Sequence, residues 1–441
     1  MTAAPAPGAD RLVSVGRRFV ALTALRWLPT GLLIPVTAVL MQSRGLSLAQ
    51  IGLVMAVQGA VVIVLELPTG GLSDALGRRP VLLVASALDV VSLLLVLSAH
   101  SPGAFMLAGA VQGVFRALDS GPLEAWYVDT SLRLDPGAVI ERGLAHATSA
   151  LGLAISAGAL ASAGLTSLPS IGGVEPLAVP LAVALGLRIV DIGALALLVT
   201  EGRARLDLAA ARAGVTAAPA IVRSTVRLVR RSPALTALVG VELLWGTGMV
   251  AVEMFSGPRM VELLGDPQRG VAVFALAAAA GWSISAVGSA ASGRLTALLG
   301  GGPARVGAVL RVVQGAAVAV MAFGGGPLGL VTGYLGFYLV HGSANVIHYG
   351  MVHRLIDDDH RTTVISANSL AARLGGIAGT AGLGALATGA GIPAALAVAA
   401  AVLAAAAPLY RVAGRPPHRP SAPDPAGERV DRLARVSADA G

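Results

Sequence analysis

Gly70-Gly71-Leu72-Ser73-Asp74-Ala75-Leu76-Gly77-Arg78-Arg79-Pro80-Val81-Leu82 is a short, charged, glycine-rich interruption between two long apolar runs, residues 50–68 and 80–99. Each run has about 20 residues, enough to cross the hydrocarbon core of a bilayer as a helix. The interruption is too short to hold anything but a turn, so the chain crosses, turns and crosses back. Working outward, the same pattern predicts spans at 19–41, 103–127, 143–165, 177–200, 234–255, 270–292, 304–324, 327–349, 363–389 and 392–411, twelve in all. The runs are continuous rather than alternating at period two, which argues against a β-barrel. The first is too long for a cleaved signal peptide and has no small-residue cleavage site.

Composition agrees. Hydrophobic residues make up 55% of the 441 and charged residues 13%, with a mean hydropathy of +0.77. A soluble domain carries about 25% charged residues, and one aqueous core cannot absorb this much apolar surface. A lipid bilayer is therefore the first partner. Cysteine is absent, which excludes disulfides, thiolate catalysis and thiolate-held metals. The net charge of +8 comes entirely from arginine, with no lysine. Its placement argues for membrane topology rather than nucleic acid. Outside the spans, 24 arginines fall on one side and Arg44, Arg259 and Arg269 on the other. Arginine-rich loops stay in the cytoplasm, so the sequence predicts a multi-pass protein of the plasma membrane with both termini cytoplasmic.

The expected organisation is an N-terminal segment 1–18, a six-helix half 19–200, a linker 201–233, a second half 234–411 and a polar, disordered tail 412–441. In the linker, Ile221, Val222, Val226 and Val229 interleave with Arg223, Arg227, Arg230 and Arg231. That pattern suits either an amphipathic helix against anionic lipid or a solvated connector.

The quoted loop resembles the cytoplasmic signature of the major facilitator superfamily: Gly70, three residues, Asp74, two residues, Gly77, Arg78, Arg79. Ala75 alone departs, standing where the family carries a basic residue. Glu66-Leu67-Pro68-Thr69-Gly70 is similar to one bacterial branch of that family. The resemblance implies two six-helix bundles and a conformational latch. Asp74 would meet the start of span 11 near residues 362–366, and Arg78 would meet Asp129 or Glu124 at the inner end of span 4. Gly70 and Gly77 would permit the turn. The plain alternative is a topological stop signal made of positive charge. Gly293-Arg294-Leu295-Thr296-Ala297-Leu298-Leu299-Gly300 reads as a worn counterpart without the aspartate, six spans later, as an internal repeat requires. Span 5 lacks the Gly-Pro pattern of drug–proton antiporters.

The resemblance also implies a cavity lined by spans 1, 4, 7 and 10, and polar residues inside a bilayer mark pathways or pairs. Each of those spans carries a polar stripe on one helical face. The candidate cavity residues are Arg26 and Thr30; Gln112, Arg116 and Asp119; Trp245; and Tyr338, His341 and Asn345. Arg116 and Asp119 are spaced to neutralise each other, and Arg188 with Asp191, Asp89 and Arg311 read as structural. Glu242 has no basic residue in its own span, so it is the candidate proton carrier. Asp357, Asp358, Asp359 and His360 form a solvated loop cluster without matching metal ligands. No phosphate-binding loop with lysine exists, which argues against ATP-driven pumping and against an enzyme. The expectation is a monomeric secondary transporter without cofactor or metal, moving a small solute by alternating access. Its preferred form is proton-coupled efflux of a hydrophobic or amphipathic compound. Uptake of a polar or anionic metabolite, and a non-transporting receptor or scaffold of the same fold, are the alternatives.

Overall fold

The computed structural model describes residues 9–69, 72–170, 173–201, 216, 223–356 and 361–414. Span 1 is Asp10–Ser43, span 2 Leu48–Thr69, span 3 Arg78–Ser98, span 5 Ile140–Thr166 and span 6 Val179–Leu198. Span 7 is Pro233–Leu264, span 8 Pro267–Leu299, span 9 Gly302–Phe323, span 11 Arg361–Ala390 and span 12 Ile392–Ala413. Among the described residues, ten helices are long and apolar enough to cross a membrane. The two expected spans outside that set are span 4, built of Pro102–Asp119 and Pro122–Leu134, and span 10, Gly326–Arg354. Both are diluted by polar side chains, and both face the interior described below.

Local sequence sets these boundaries. Ser101, Ser232 and Asp266 each accept a hydrogen bond from a backbone N–H three residues on, and proline follows as the first helical residue. Pro35 interrupts span 1 over residues 34–36, because it offers no N–H to the preceding turn. Span 4, expected as one rod, breaks at Ser120 and Gly121. Pro122 disfavours a helical residue before it, and Gly121 adopts φ +99°. The stretch 293–299, expected as a loop, is the last turns of span 8, since nothing in it breaks a helix.

Packing repeats with an offset of six. Span 1 packs on spans 5 and 6, span 3 on spans 4 and 6, and span 2 on span 4; spans 7 to 12 repeat these contacts in order. The two halves meet through spans 2 and 11 and spans 5 and 8. Alternation of direction puts the arginine-rich connections on one side, here the basic face. Toward the opposite face, Val36, Val39 and Leu40 of the first half are buried in one cluster with Met254, Phe255 and Phe274 of the second. Near it, Ala49 N donates to Thr388 Oγ1 at 2.8 Å. Gly52 lies so close to span 11 that a Cβ there would stand 2.0 Å from the Thr380 carbonyl oxygen. That face is shut.

Of the expected linker, only Glu201 and residues 216 and 223–232 are described up to the start of span 7; 223–231 is helical, with Thr225 and Val229 buried and all four arginines exposed. The tail beyond 414 and Asp357–His360 lie outside the described residues.

Candidate functional site

Two cavities lie between the halves and meet at Trp27, Met55, Gln58 and Arg116, which line both. The vestibule, 650 Å³, runs from this waist toward the basic face past Phe19, Leu123, Glu124 and Thr148. The chamber, 430 Å³, runs toward the shut face between Thr30, Ile51, Phe105 and Leu181 of the first half and Glu253, Phe274, Trp282, Tyr334 and Tyr338 of the second. Each volume falls in the range of small-molecule sites, about 300–1,000 Å³. Both halves wall the space, and among the described residues it runs out toward the basic face and is sealed toward the other.

The first-half wall is backed by a buried charge network. Arg26 reaches Asp191 at 3.0 Å, pairs with Asp119 and donates to Ser86 Oγ at 3.1 Å. Arg188 holds Asp89 at 2.8 Å and Asp191 at 3.2 Å. Ser86 donates to the same Asp191 oxygen at 2.9 Å, so one carboxylate joins spans 1, 3 and 6. Paired charges of this kind satisfy one another where water cannot. Arg26 therefore makes cross-helix pairs, and Asp119, expected beside Arg116, belongs to Arg26. Arg116 instead lies with its guanidinium carbon 5.8 Å from the centroid of the Trp27 ring.

A second network lies in the other half. Glu242 sits 3.4 Å from Arg311 and 3.4 Å from His348. Arg311 also donates to Gln314 at 2.8 Å, while His348 contacts Tyr410 at 3.1 Å and Asn368 at 3.2 Å. Glu242 has no basic residue in its own span, as the sequence indicates, and its counter-charge comes from another helix. Its partner is on span 9, and Glu242 lines neither cavity. Trp245 stacks on His341 with centroids 5.5 Å apart, and His341 is 3.0 Å from Asn345. These three also lie behind the cavities rather than on their walls. Thr30, Gln112 and Tyr338 line the chamber, and Arg26 and Asp119 the vestibule.

The expected latch is divided. Arg78 pairs with Asp129 and donates to the Ala125 carbonyl at 2.7 Å, while Arg79 donates to the Ala196 carbonyl at 2.5 Å. Glu201, missed in the sequence, accepts both backbone N–H groups, at 2.9 and 3.0 Å. All of these ties stay within the first half, because spans 3, 4 and 6 end together there. Glu124 lines the vestibule instead. Gly70 and the Asp74 side chain lie outside the described residues. Among the described residues, Glu66 and Arg373 form an ion pair between the halves on the basic side, at 3.0 Å.

Comparison with known proteins gives three findings. The sequence matches the Major Facilitator Superfamily profile over residues 19–380. No curated protein matches it at the sequence level. The fold is similar to several solved transporters. The nucleoside transporter NupG gives a TM-score of 0.73 at 12% identity, covering 91% of this chain and 99% of that one. A bacterial homologue of the human lysosomal transporter Spinster, inward-facing and occupied, gives 0.69 at 14%, covering 93% and 98%. The human organic anion transporter MFSD10 gives 0.60 at 18%, covering 92% and 100%. Identities this low speak for the fold alone.

Proposed function

The chain belongs to the major facilitator superfamily, and on that premise we propose that it exports a small amphipathic solute by alternating access, in exchange for protons. The basic face would be cytoplasmic, as its arginines favour. The observation that carries this reading is the single space walled by both halves, open at the basic face and shut at the other. Rocking of the halves about spans 2, 11, 5 and 8 would open the apolar seal while the basic side closes, with Glu66 and Arg373 as one contact across it. The Arg26–Asp191 and Glu242–Arg311 networks each lie within one half, so each half would move as a rigid body.

The chamber walls support an amphipathic solute, since aromatic and aliphatic side chains make up most of the lining and Gln58, Asp89, Gln112, Arg116 and Glu253 add polar groups to it. Glu253, rather than Glu242, is the carboxylate placed to exchange a proton with the cavity. Arg26 is consumed by its aspartates, which removes half of the motive for an anionic metabolite.

Flux in proteoliposomes under an imposed pH gradient tests the proposal. Candidate amphipaths should move toward the side that corresponds to the opposite face, and collapse of the gradient should stop net movement. Flux that persists unchanged without the gradient would remove the coupling. An absence of flux for every compound tested would favour a scaffold.

A further inference from the structure

Charges inside the bundle are nearly all matched. The first half has three arginines, Arg26, Arg116 and Arg188, and three aspartates, Asp89, Asp119 and Asp191; Arg26 and Arg188 hold all three aspartates in ion pairs, and Arg116 makes none among the described residues. Glu242 has Arg311 behind the second-half wall, and Glu66 has Arg373 at the vestibule. Glu253 is the sixth carboxylate against five arginines, and the cation that acts on it electrostatically is Arg116, beyond ion-pair distance. Glu253 lies in span 7, is exposed within the chamber, and makes no ion pair or hydrogen bond among the described residues. The interior therefore carries one negative charge in excess, and it lies on the chamber wall.

The surroundings of Glu253 are aromatic. Phe274 and Tyr334 meet edge to face with centroids 5.4 Å apart, Tyr334 and Tyr338 are 4.8 Å apart, and Trp282 and Tyr338 are 6.2 Å apart. All four rings line the chamber from the second half. Ring faces carry the negative lobe of the aromatic quadrupole and attract cations, most strongly where water is scarce. Across the chamber the first half already has such an arrangement filled from within, Arg116 over Trp27. The second-half wall combines a carboxylate and aromatic faces with no cation of its own.

We propose that the chamber takes a hydrophobic organic cation, its charge against Glu253 and its apolar body among Phe274, Trp282, Tyr334 and Tyr338. The proposal rests on the transport reading above and narrows it to a substrate class. An anionic solute would meet the repulsion of Glu253, offset only by Arg116 across the chamber, and a neutral one would leave the one excess carboxylate without a counter-charge of its own in the low-dielectric interior. Arg116 repels the cation and confines it to the second-half side.

The test uses three probes with one apolar body: phenylbutyltrimethylammonium, neutral phenylbutanol and phenylbutanesulfonate. Binding to the purified full chain is read by quenching of intrinsic fluorescence, since Trp27 and Trp282 line the chamber, and by thermal stabilisation. The cation should bind at least about tenfold more tightly than the alcohol, and the sulfonate more weakly still. Glu253→Gln should erase the preference for the cation over the alcohol, and Glu253→Asp should keep it. Arg116→Gln should strengthen the cation's binding, which separates this proposal from one in which Arg116 holds an anion. A melting curve on each variant shows that it is folded. The proposal is overturned if the sulfonate binds best, if Glu253→Gln preserves the preference, if Arg116→Gln weakens the cation, or if none of the three binds. Gradient-driven flux of some other solute alongside any of those results would leave the transport reading standing and dispose of this one alone.

Discussion

Replacing Gly52 with alanine places a methyl group where spans 2 and 11 touch across the two halves. The new Cβ would lie 2.0 Å from the Thr380 carbonyl oxygen and 2.9 Å from its carbon, whereas ordinary contact begins near 3.4 Å. Backbone blocks the way, so the spans must part locally by about 1 Å. Overpacking of this kind costs about 2 kcal/mol. The site lies one turn from the shut face, so the cost falls on the state in which that face is closed and is relieved when it opens. Two kilocalories correspond to a shift of roughly 30-fold between the two states. Gly31→Ala is the matched control. Its Cβ would lie 2.2 Å from the Ile155 carbonyl oxygen, but spans 1 and 5 belong to one half, so the cost is the same in both states. Because the chain has no cysteine, Val39→Cys can report opening of the seal to an impermeant maleimide. Both alanine variants should melt lower. Labelling should accelerate strongly in Gly52→Ala and stay at the parental rate in Gly31→Ala. Equal labelling of the two variants would refute the reasoning, because the halves would then not separate at Gly52.

Other consequences follow from the charge networks. Asp191→Ala removes the acceptor shared by Arg26, Arg188 and Ser86 and should cost about 3–5 kcal/mol, read as a large loss of melting temperature; a shift no greater than that of a surface variant would mean that the network is not holding spans 1, 3 and 6 together. Asp129→Ala breaks a half-exposed pair and should change stability by about 1 kcal/mol or less by the same assay. Glu242→Gln weakens the tie to Arg311 behind the wall, so it should lower the melting temperature and leave solute selectivity as it was; altered selectivity would place Glu242 in the pathway after all.

The spans and the polar stripes were legible because lipid demands long apolar runs and taxes every polar side chain within them. The breaks were not read, although Pro35 and Gly121-Pro122 carry the signal, since a hydrophobic run looks continuous whether or not its backbone bends. Partners across helices escaped for a different reason. A stripe defines a helix face but not the neighbour it meets: Arg311 lies 69 residues from Glu242, and Asp191 lies 165 from Arg26. In-helix spacing suggested Arg116 with Asp119, but long guanidinium side chains reached other helices instead. Glu253 lies three turns beyond Glu242 in span 7. Its importance emerges only after the ion pairs of the other interior carboxylates are known.

Transport by these two halves requires access to alternate between the two faces. Spin labels on a basic-face pair, Arg142→Cys with Arg294→Cys, and separately on an opposite-face pair, Ser43→Cys with Glu262→Cys, would measure both separations by pulsed electron resonance in lipid as pH is varied. Two populations are expected, in which the basic-face distance shortens as the opposite-face distance lengthens. A single fixed distance at each face under every condition would contradict the claim that these halves rock about the chamber between them.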